Sequence, residues 1–480
     1  MKSRVTQTNI GILIVHSKKQ IAPVVSFRNS QSELVRGTIT NLQRKSLVME
    51  IYNPYSIVQV SEILNDLIVK AGTSDVYRGR AVVTSMVSTG LTAVVSVTLA
   101  DEWRELSVLN GESGSFGLEA RTFVDTWDKR QQISGTYQTA VNELRAFLGE
   151  VSRWVAQVDM VADLPGMVPK RLDDEVFYEL ADPLIARLLD YTAQIENEAS
   201  EISSELTAIH RAYAQSALHP LLLRSPFVYR TYTKPLGYAG DYEMVNQIVN
   251  NPRQGPNTYF EIVNVAFLRA RVAEAHRNRI DILVKFLTGL AEQARQNERP
   301  FVITNVGCGP AVEIQRFIRE FDSPHYLEFE LVDFSETTLN YTQSALEQVA
   351  RECGKTINVK YTHNSVHELI KYRAKAGSRP TPRCDAVYCA GLFDYLSDKV
   401  CTRLLDYFGS MTISGGKVLV TNVHSDNPER IFTMEHLLEW YLIYRNEAEL
   451  KSVFSKAFDR DIKTFVDSTG VNVFAEAKVC

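Results

Sequence analysis

Residues 301–334 hold a short apolar run, a glycine turn, a helical stretch, a second apolar run and a terminal acid, in that order. This is the sequence form of a βαβ unit that closes around a nucleotide. Residues 301–306, FVITNV, suit a buried parallel strand, and Gly307-Cys308-Gly309-Pro310 breaks it where backbone must come close to a ligand. Residues 313–320 carry Ile314, Phe317 and Ile318 at helical spacing, and residues 329–332 form a second strand. Asp333 ends that strand about 20 residues beyond the last glycine, where a carboxylate accepts hydrogen bonds from both hydroxyls of a ribose.

A dinucleotide fingerprint has a third glycine that lets the helix sit against a pyrophosphate. Here Ala311 and Val312 follow Pro310, so NAD is disfavoured. A ligand without phosphate, S-adenosylmethionine, does not need that glycine and is the expected cofactor.

At 480 residues the chain exceeds what one core organises, so two or three domains are expected. A net charge of -5 offers no general attraction to phosphate backbones, which argues against nucleic acid as a partner. The cysteines, Cys308, Cys353, Cys384, Cys389, Cys401 and Cys480, form no CxxC pair and have no histidine at zinc-site spacing. They read as reduced thiols of a cytoplasmic protein without a metal. The N-terminal apolar stretch is too short for a secretory signal, and no apolar run is long enough to span a membrane.

Three regions are expected. Residues 1–115 are rich in Val, Ile, Thr and Ser, with alternating stretches at 34–40, 47–52 and 93–99 and turns near Asn53-Pro54, Ala71-Gly72 and Thr89-Gly90, which predicts a small β domain. Residues 116–216 switch to helical periodicity over 137–158 and 173–213, interrupted at Leu164-Pro165-Gly166. Leu180, Leu184, Leu188, Tyr191 and Ile195 form an apolar stripe there, which packs within the chain or, alternatively, pairs two copies in a homodimer. Residues 217–480 add strands at 358–361, 385–389 and 417–423, and end in two alternating strands about Ser468-Thr469-Gly470, an antiparallel hairpin that closes the sheet.

VRGTITNLQRKSLVMEIYN and YRGRAVVTSMVSTGLTAVVSVTL resemble a PilZ-type barrel. That resemblance implies cyclic di-GMP as a partner, gripped in the family by two arginines and an Asp/Asn-x-Ser-x-x-Gly turn. Here Arg28 and Arg36 are differently spaced, and Asn41-Leu42-Gln43-Arg44-Lys45-Ser46 lacks the glycine, so the motif is degenerate. Five parallel strands followed by a hairpin resemble the class I S-adenosylmethionine-dependent methyltransferases. The expected fold is therefore multidomain: an α/β Rossmann-like class I methyltransferase domain with a helical lid, preceded by a helical segment and a PilZ-like β-barrel.

In an open α/β sheet, ligands lie outside the carboxyl ends of the strands. Gly307, Cys308 and Gly309 then face the methionine part of the cofactor, with Asn305 at a position that is usually acidic in methyltransferases. The resemblance further implies that Asp333 holds the ribose, that Phe334 covers the adenine, and that Asn364 and Ser365, after His363, read its amino group. Cys389, Ala390 and Gly391 leave room beside the sulfonium, and Asp394 is polar lining or a helix cap. Residues 225–247, SPFVYRTYTKPLGYAGDYEMVNQ, with four tyrosines, read as a lid in which Arg230 or Lys234 pairs with a carboxylate.

Residues 434–450, MEHLLEWYLIYRNEAEL, supply His436, Trp440, Tyr441, Tyr444 and Arg445 to an acceptor pocket. Together KPLGYAGDYEM, VGCGPAVE, CAGLFDYLSD and EWYLIYR resemble the bacterial extracellular-factor, or 3-hydroxypalmitic acid methyl ester, biosynthesis family. That resemblance implies methyl transfer to a small-molecule acceptor, the carboxylate of a hydroxy fatty acid. Such an acceptor needs no base at pH 7. Arg230 or Arg445 would orient it, and Tyr238, Trp440 and Tyr444 would line an acyl slot. For a hydroxyl or amine acceptor, His424 is the expected base. The alternatives are a signalling protein whose barrel senses a nucleotide, and a protein or RNA methyltransferase.

Overall fold

The computed structural model describes residues 24–30, 33–42, 45–51, 58–71, 74–88, 92–100, 121, 124, 133–162, 171–322, 327–370, 383–458 and 462–479. Asn53-Pro54, Gly72, Thr89-Gly90, Leu164-Pro165-Gly166, Gln43, Arg44 and Cys480 lie outside them.

Six strands close the N-terminal barrel: β1 (Val24–Arg28), β2 (Leu34–Leu42), β3 (Ser46–Ile51), β4 (Ile63–Ala71), β5 (Ser74–Ser88) and β6 (Ala93–Leu99). Their order is β1-β2-β3-β6-β5-β4, and every neighbouring pair runs antiparallel. The alternation seen in the sequence sets the register. Leu47 and Met49 face inward opposite Val97 and Val95, while Val48 and Glu50 turn outward. Closure leaves no unpaired edge.

Helices follow: α1 (Gly135–Ala162), α2 (Asp174–Ser200), α3 (Thr207–Leu222), α4 (Pro226–Thr233), α5 (Tyr242–Asn250), α6 (Thr258–Leu268) and α7 (Arg271–Gln296). The helix expected over 173–213 is two. The chain turns at 201–206, where the Leu206 N–H bonds the Ser203 carbonyl, and Ser203-Ser204 favours such local turns over continued helix. The apolar stripe of α2 is used inside the chain. Leu188 and Ile195 are buried, and Leu180, Leu184 and Tyr191 pack against the same helical core. That core runs from Tyr137 to Ala275 and takes in Phe432, Met434 and Trp440 from far along the chain.

The C-terminal sheet contains β7 (Phe301–Val306), β8 (Leu327–Asp333), β9 (Ile357–His363), β10 (Cys384–Cys389), β11 (Thr412–Val423), β12 (Ile462–Val466) and β13 (Asn472–Lys478), in the order β12-β13-β11-β10-β7-β8-β9. The five strands from β7 to β11 pair in parallel, and β13 is antiparallel to both of its neighbours. The expected hairpin is present, but its second leg inserts between β11 and the first leg instead of extending the edge. Burial explains this: β13 reads NVFAEAK and is buried along most of its length, whereas β12 is half exposed. α7, α8 (Val312–Glu320) and α9 (Glu336–Cys353) cover one face, and α10 (Asp398–Met411) and α11 (Glu447–Phe454) cover the other. No helix among the described residues is long and apolar enough to cross a membrane.

β7 lies at the topological switch point. The chain proceeds from it to β8 and β9 on one side, and β10 then pairs on the other. A crevice therefore opens at the carboxyl ends of β7 and β10.

Candidate active site

A cavity of about 170 Å³ occupies that crevice, roofed by the segment between α4 and α5, including Tyr238, Ala239 and Gly240. Gly307 and Gly309 adopt φ of 70° and 51°, so the turn after β7 folds back on itself in the region that glycine tolerates best. The N–H groups of Gly307 and Cys308 both bond the Val332 carbonyl, which ties the turn to the end of β8. Asp333 completes the link. Its Oδ2 accepts the Gly309 N–H at 3.1 Å and its Oδ1 accepts the Ser335 N–H at 2.9 Å. Burial raises this carboxyl above its ordinary range, against the opposing pull of those N–H groups.

Phe334 lines the cavity, with its ring edge against Tyr238 at 5.0 Å between centroids. Ser365 lines it as well, while Asn364 uses its N–H on the Asp333 carbonyl and stays outside the wall. Ala390 and Gly391 line the cavity, whereas Cys389 is buried in the core beneath the sheet, where its thiol is held protonated. Asp394 reaches the wall and accepts the Val423 N–H at 2.6 Å. Its carboxyl is pushed up to about 7 by burial, which outweighs that N–H and the charges of Arg279 and Arg445.

Asn305 is bonded to an acid eight residues further on. Its Nδ2 donates to Glu313 Oε1 at 2.9 Å, and Tyr388 Oη donates to the same oxygen at 2.7 Å. Glu313, in the first turn of α8, thus brings to this end of the cavity the acid that position 305 lacks; burial raises its carboxyl above the ordinary range, against the Tyr388 hydroxyl and the charge of Arg279, which favour the ionised form. The buried Asn305 Oδ1 has no partner among the described residues. Much of the remaining wall is apolar, with Val272, Ile280, Leu283, Met434 and Trp440. Tyr395 Oη ties the lid to this wall: it donates to the Ala239 carbonyl at 3.0 Å and accepts Trp440 Nε1–H at 3.1 Å.

Two polar cavity groups come from α7, which no motif in the sequence marks. His276 Nδ1 lies 2.8 Å from the Val272 carbonyl. A carbonyl only accepts, so Nδ1 carries the hydrogen and Nε2 keeps its lone pair. Burial, with Arg279 beside it, holds this imidazole at about 3, so it is neutral at pH 7. Arg279 is the only Lys or Arg in the wall among the described residues.

Several expected acceptor-site residues point elsewhere, each for a local reason. Arg230 Nε donates to Asp241 Oδ1 at 3.0 Å and pins the start of α5. Arg445 is buried against Asp398, the Asn422 amide and the carbonyls of Phe393 and Leu396, a structural knot behind β11. Tyr444 packs beneath the Arg430 guanidinium. His424 faces Glu447 at 3.3 Å and accepts the Asp426 N–H, while His436 pairs with Tyr137 Oη. Lys234 Nζ is buried against the Leu438 carbonyl. None of these lines the cavity; Tyr238 and Trp440 do.

No family model matches the chain, and no curated protein matches it. Among solved structures, it is similar to a possible exported protein from Bordetella parapertussis, at 15% identity over 62% of this chain and 96% of that one, with a TM-score of 0.38. It is also similar to the S-adenosylmethionine-dependent methyltransferase SibL, at 15% identity over 76% and 100% of the two chains, with a TM-score of 0.33. Magnesium protoporphyrin IX methyltransferase from Synechocystis PCC 6803 gives 11% identity, 44% and 87% coverage, and a TM-score of 0.32. All three scores are below 0.5, so the fold assignment rests on strand order and direction within this chain. By those, the C-terminal sheet has the class I methyltransferase fold, and a closed β-barrel precedes it.

Proposed function

We propose that this protein transfers a methyl group from S-adenosylmethionine to a small, largely apolar acceptor. The observation that carries the reading is Asp333, 6% exposed, bonded to the glycine turn and lining the cavity at the switch point of the sheet. The wall fits the cofactor: Asp333 would hold the ribose hydroxyls, Phe334 and Tyr238 would cover the adenine, and Ser365 would meet its edge. When bound, the cofactor supplies an electrophilic methyl on a sulfonium.

The contribution of the chain is positioning and the exclusion of water. Tyr395 holds the Gly240 segment against Trp440, so the roof and the apolar wall form one rigid surface around the acceptor. The sequence resemblance gives the acceptor as the carboxylate of a hydroxy fatty acid, and the run of aliphatic side chains beside Trp440 supports an acyl chain there. A roofed cavity with a single Lys or Arg in its wall among the described residues supports a small molecule over a protein or RNA acceptor.

A second reading has an observation of its own. Asp394, which lines the cavity with its carboxyl pushed up to about 7 by burial, would accept a proton from a hydroxyl or amine acceptor, in place of His424. Incubation with methyl-labelled S-adenosylmethionine and a lipid extract tests both readings. Base-labile label in the fatty acid fraction supports the ester, and base-stable label in a small molecule supports the second reading. Label in protein or RNA alone contradicts the proposal.

A further inference from the structure

Arg279 carries the one charge in the cavity wall that nothing in the fold answers. It is 8% exposed, yet it makes no ion pair and no hydrogen bond among the described residues. Glu313 and Asp394 act on it through space without touching it. Its guanidinium lies against the backbone at the end of β10. A side-chain carbon built on Gly391, whose φ is 90°, would stand 3.2 Å from Nη1. Burying a cation with no partner is unfavourable, and an unpaired guanidinium in a cavity wall is a site for an anion, which the planar fork binds through two parallel hydrogen bonds.

The opposite need lies nearby on the same wall. Glu313 is 7% exposed, and the adjacent Asn305 Oδ1 is buried without a donor among the described residues. A carboxylate and an amide oxygen together call for a cationic group with several N–H bonds. Gly307 and Gly309, in the turn that follows Asn305, present no side chain to the cavity.

We propose that Arg279, Glu313 and Asn305 form a subsite for an α-amino acid zwitterion, in which Arg279 takes the carboxylate and Glu313 with Asn305 Oδ1 takes the ammonium of the methionyl end of the cofactor. This rests on the reading that the cavity holds an adenosyl ligand. It assigns Arg279 to the cofactor and not to an acceptor carboxylate, so the acceptor is held by the apolar wall. It also replaces the missing acid at position 305 with one supplied by α8.

The test is calorimetry on the full chain with two ligands, S-adenosylhomocysteine and 5′-methylthioadenosine, which share the adenosyl thioether and differ in the amino-acid end. Removing one partner from a buried, hydrogen-bonded charge pair lowers affinity by at least about 30-fold. Wild type is therefore expected to bind S-adenosylhomocysteine at least about 30-fold more tightly than 5′-methylthioadenosine. Arg279→Ala is expected to abolish that preference while changing 5′-methylthioadenosine affinity by less than about 3-fold, which also reports that the variant is folded. Arg279→Lys should recover part of the preference, because it restores the charge without the fork.

Equal affinity of wild type for the two ligands overturns the subsite alone. So does an Arg279→Ala variant that weakens both ligands alike, or one that leaves S-adenosylhomocysteine untouched and weakens only a fatty acid. Failure of wild type to bind either ligand overturns the adenosyl reading, and the subsite with it.

Discussion

Asp394 shows how one side chain can line a cavity and be unfavourable to the fold. Its Oδ1 fixes the Val423 N–H, but burial pushes its carboxyl from an ordinary 3.8 up to about 7. Between those values the folded state binds more protons than the unfolded state, so this group makes stability fall as pH rises through the window. Asp394→Asn keeps an oxygen for Val423 and removes the charge. It should be more stable than wild type at pH 8 by on the order of 2 kcal/mol, with the gap closing as pH approaches 4. Chemical denaturation at both pH values checks this; a gap that widens on acidification contradicts it. At the residue scale, Gly307, Gly309 and Asp333 were legible in the sequence because a turn and a strand end leave local signatures. Arg279 was not: only tertiary packing brings it to Gly391, more than a hundred residues along the chain, and no periodicity encodes that approach.

At the scale of elements, the loop after β11 depends on one distant acid. Residues Arg430–Leu437 wind as a π-helical turn, and Glu196 of α2 accepts the N–H groups of Ile431, Phe432 and Thr433 at its start. The turn delivers Met434 to the cavity, and the Met434 carbonyl accepts the Trp440 N–H. Glu196→Ala leaves three backbone donors, two of them buried, without an acceptor and should cost about 2–3 kcal/mol. It should also weaken acceptor binding through Trp440, whereas Glu196→Gln, which keeps an oxygen, should lose less. Urea melts of the two variants decide it; equal stability of Ala and Gln contradicts the account. The strands from β7 to β11 were legible as apolar runs, but the insertion of β13 and the break after α2 were not. Hairpin order depends on which leg the sheet buries more deeply, and Ser203-Ser204 is a weak local signal inside a strongly periodic stretch.

Across the whole molecule, the barrel is docked on the C-terminal half and contributes to its cavity. Gln59 lines the wall, the Ile63 N–H bonds the Gly237 carbonyl of the lid, and Val60, Ile63 and Val82 enclose Tyr441. Ser61 is the rivet. Held at φ 67°, its hydroxyl donates to the Glu439 carbonyl at 3.1 Å and accepts the Tyr441 N–H at 2.9 Å, bracketing Trp440. Ser61→Ala should destabilise the chain by about 2 kcal/mol and alter Trp440 fluorescence, as measured in a urea titration. An unchanged midpoint and emission contradict the docking role. Cyclic di-GMP titrated into the full chain is expected to give no saturable heat, given the degenerate motif; saturation near one ligand per chain would favour the signalling reading.

On the proposed function, a glycine turn and a buried acid at the sheet's switch point hold an adenosyl group. Calorimetric titration of S-adenosylhomocysteine into wild type and Asp333→Ala tests it most directly. One site per chain in wild type, weakened at least about 30-fold in Asp333→Ala, is the predicted result. No binding to wild type, or equal binding to both proteins, would contradict it.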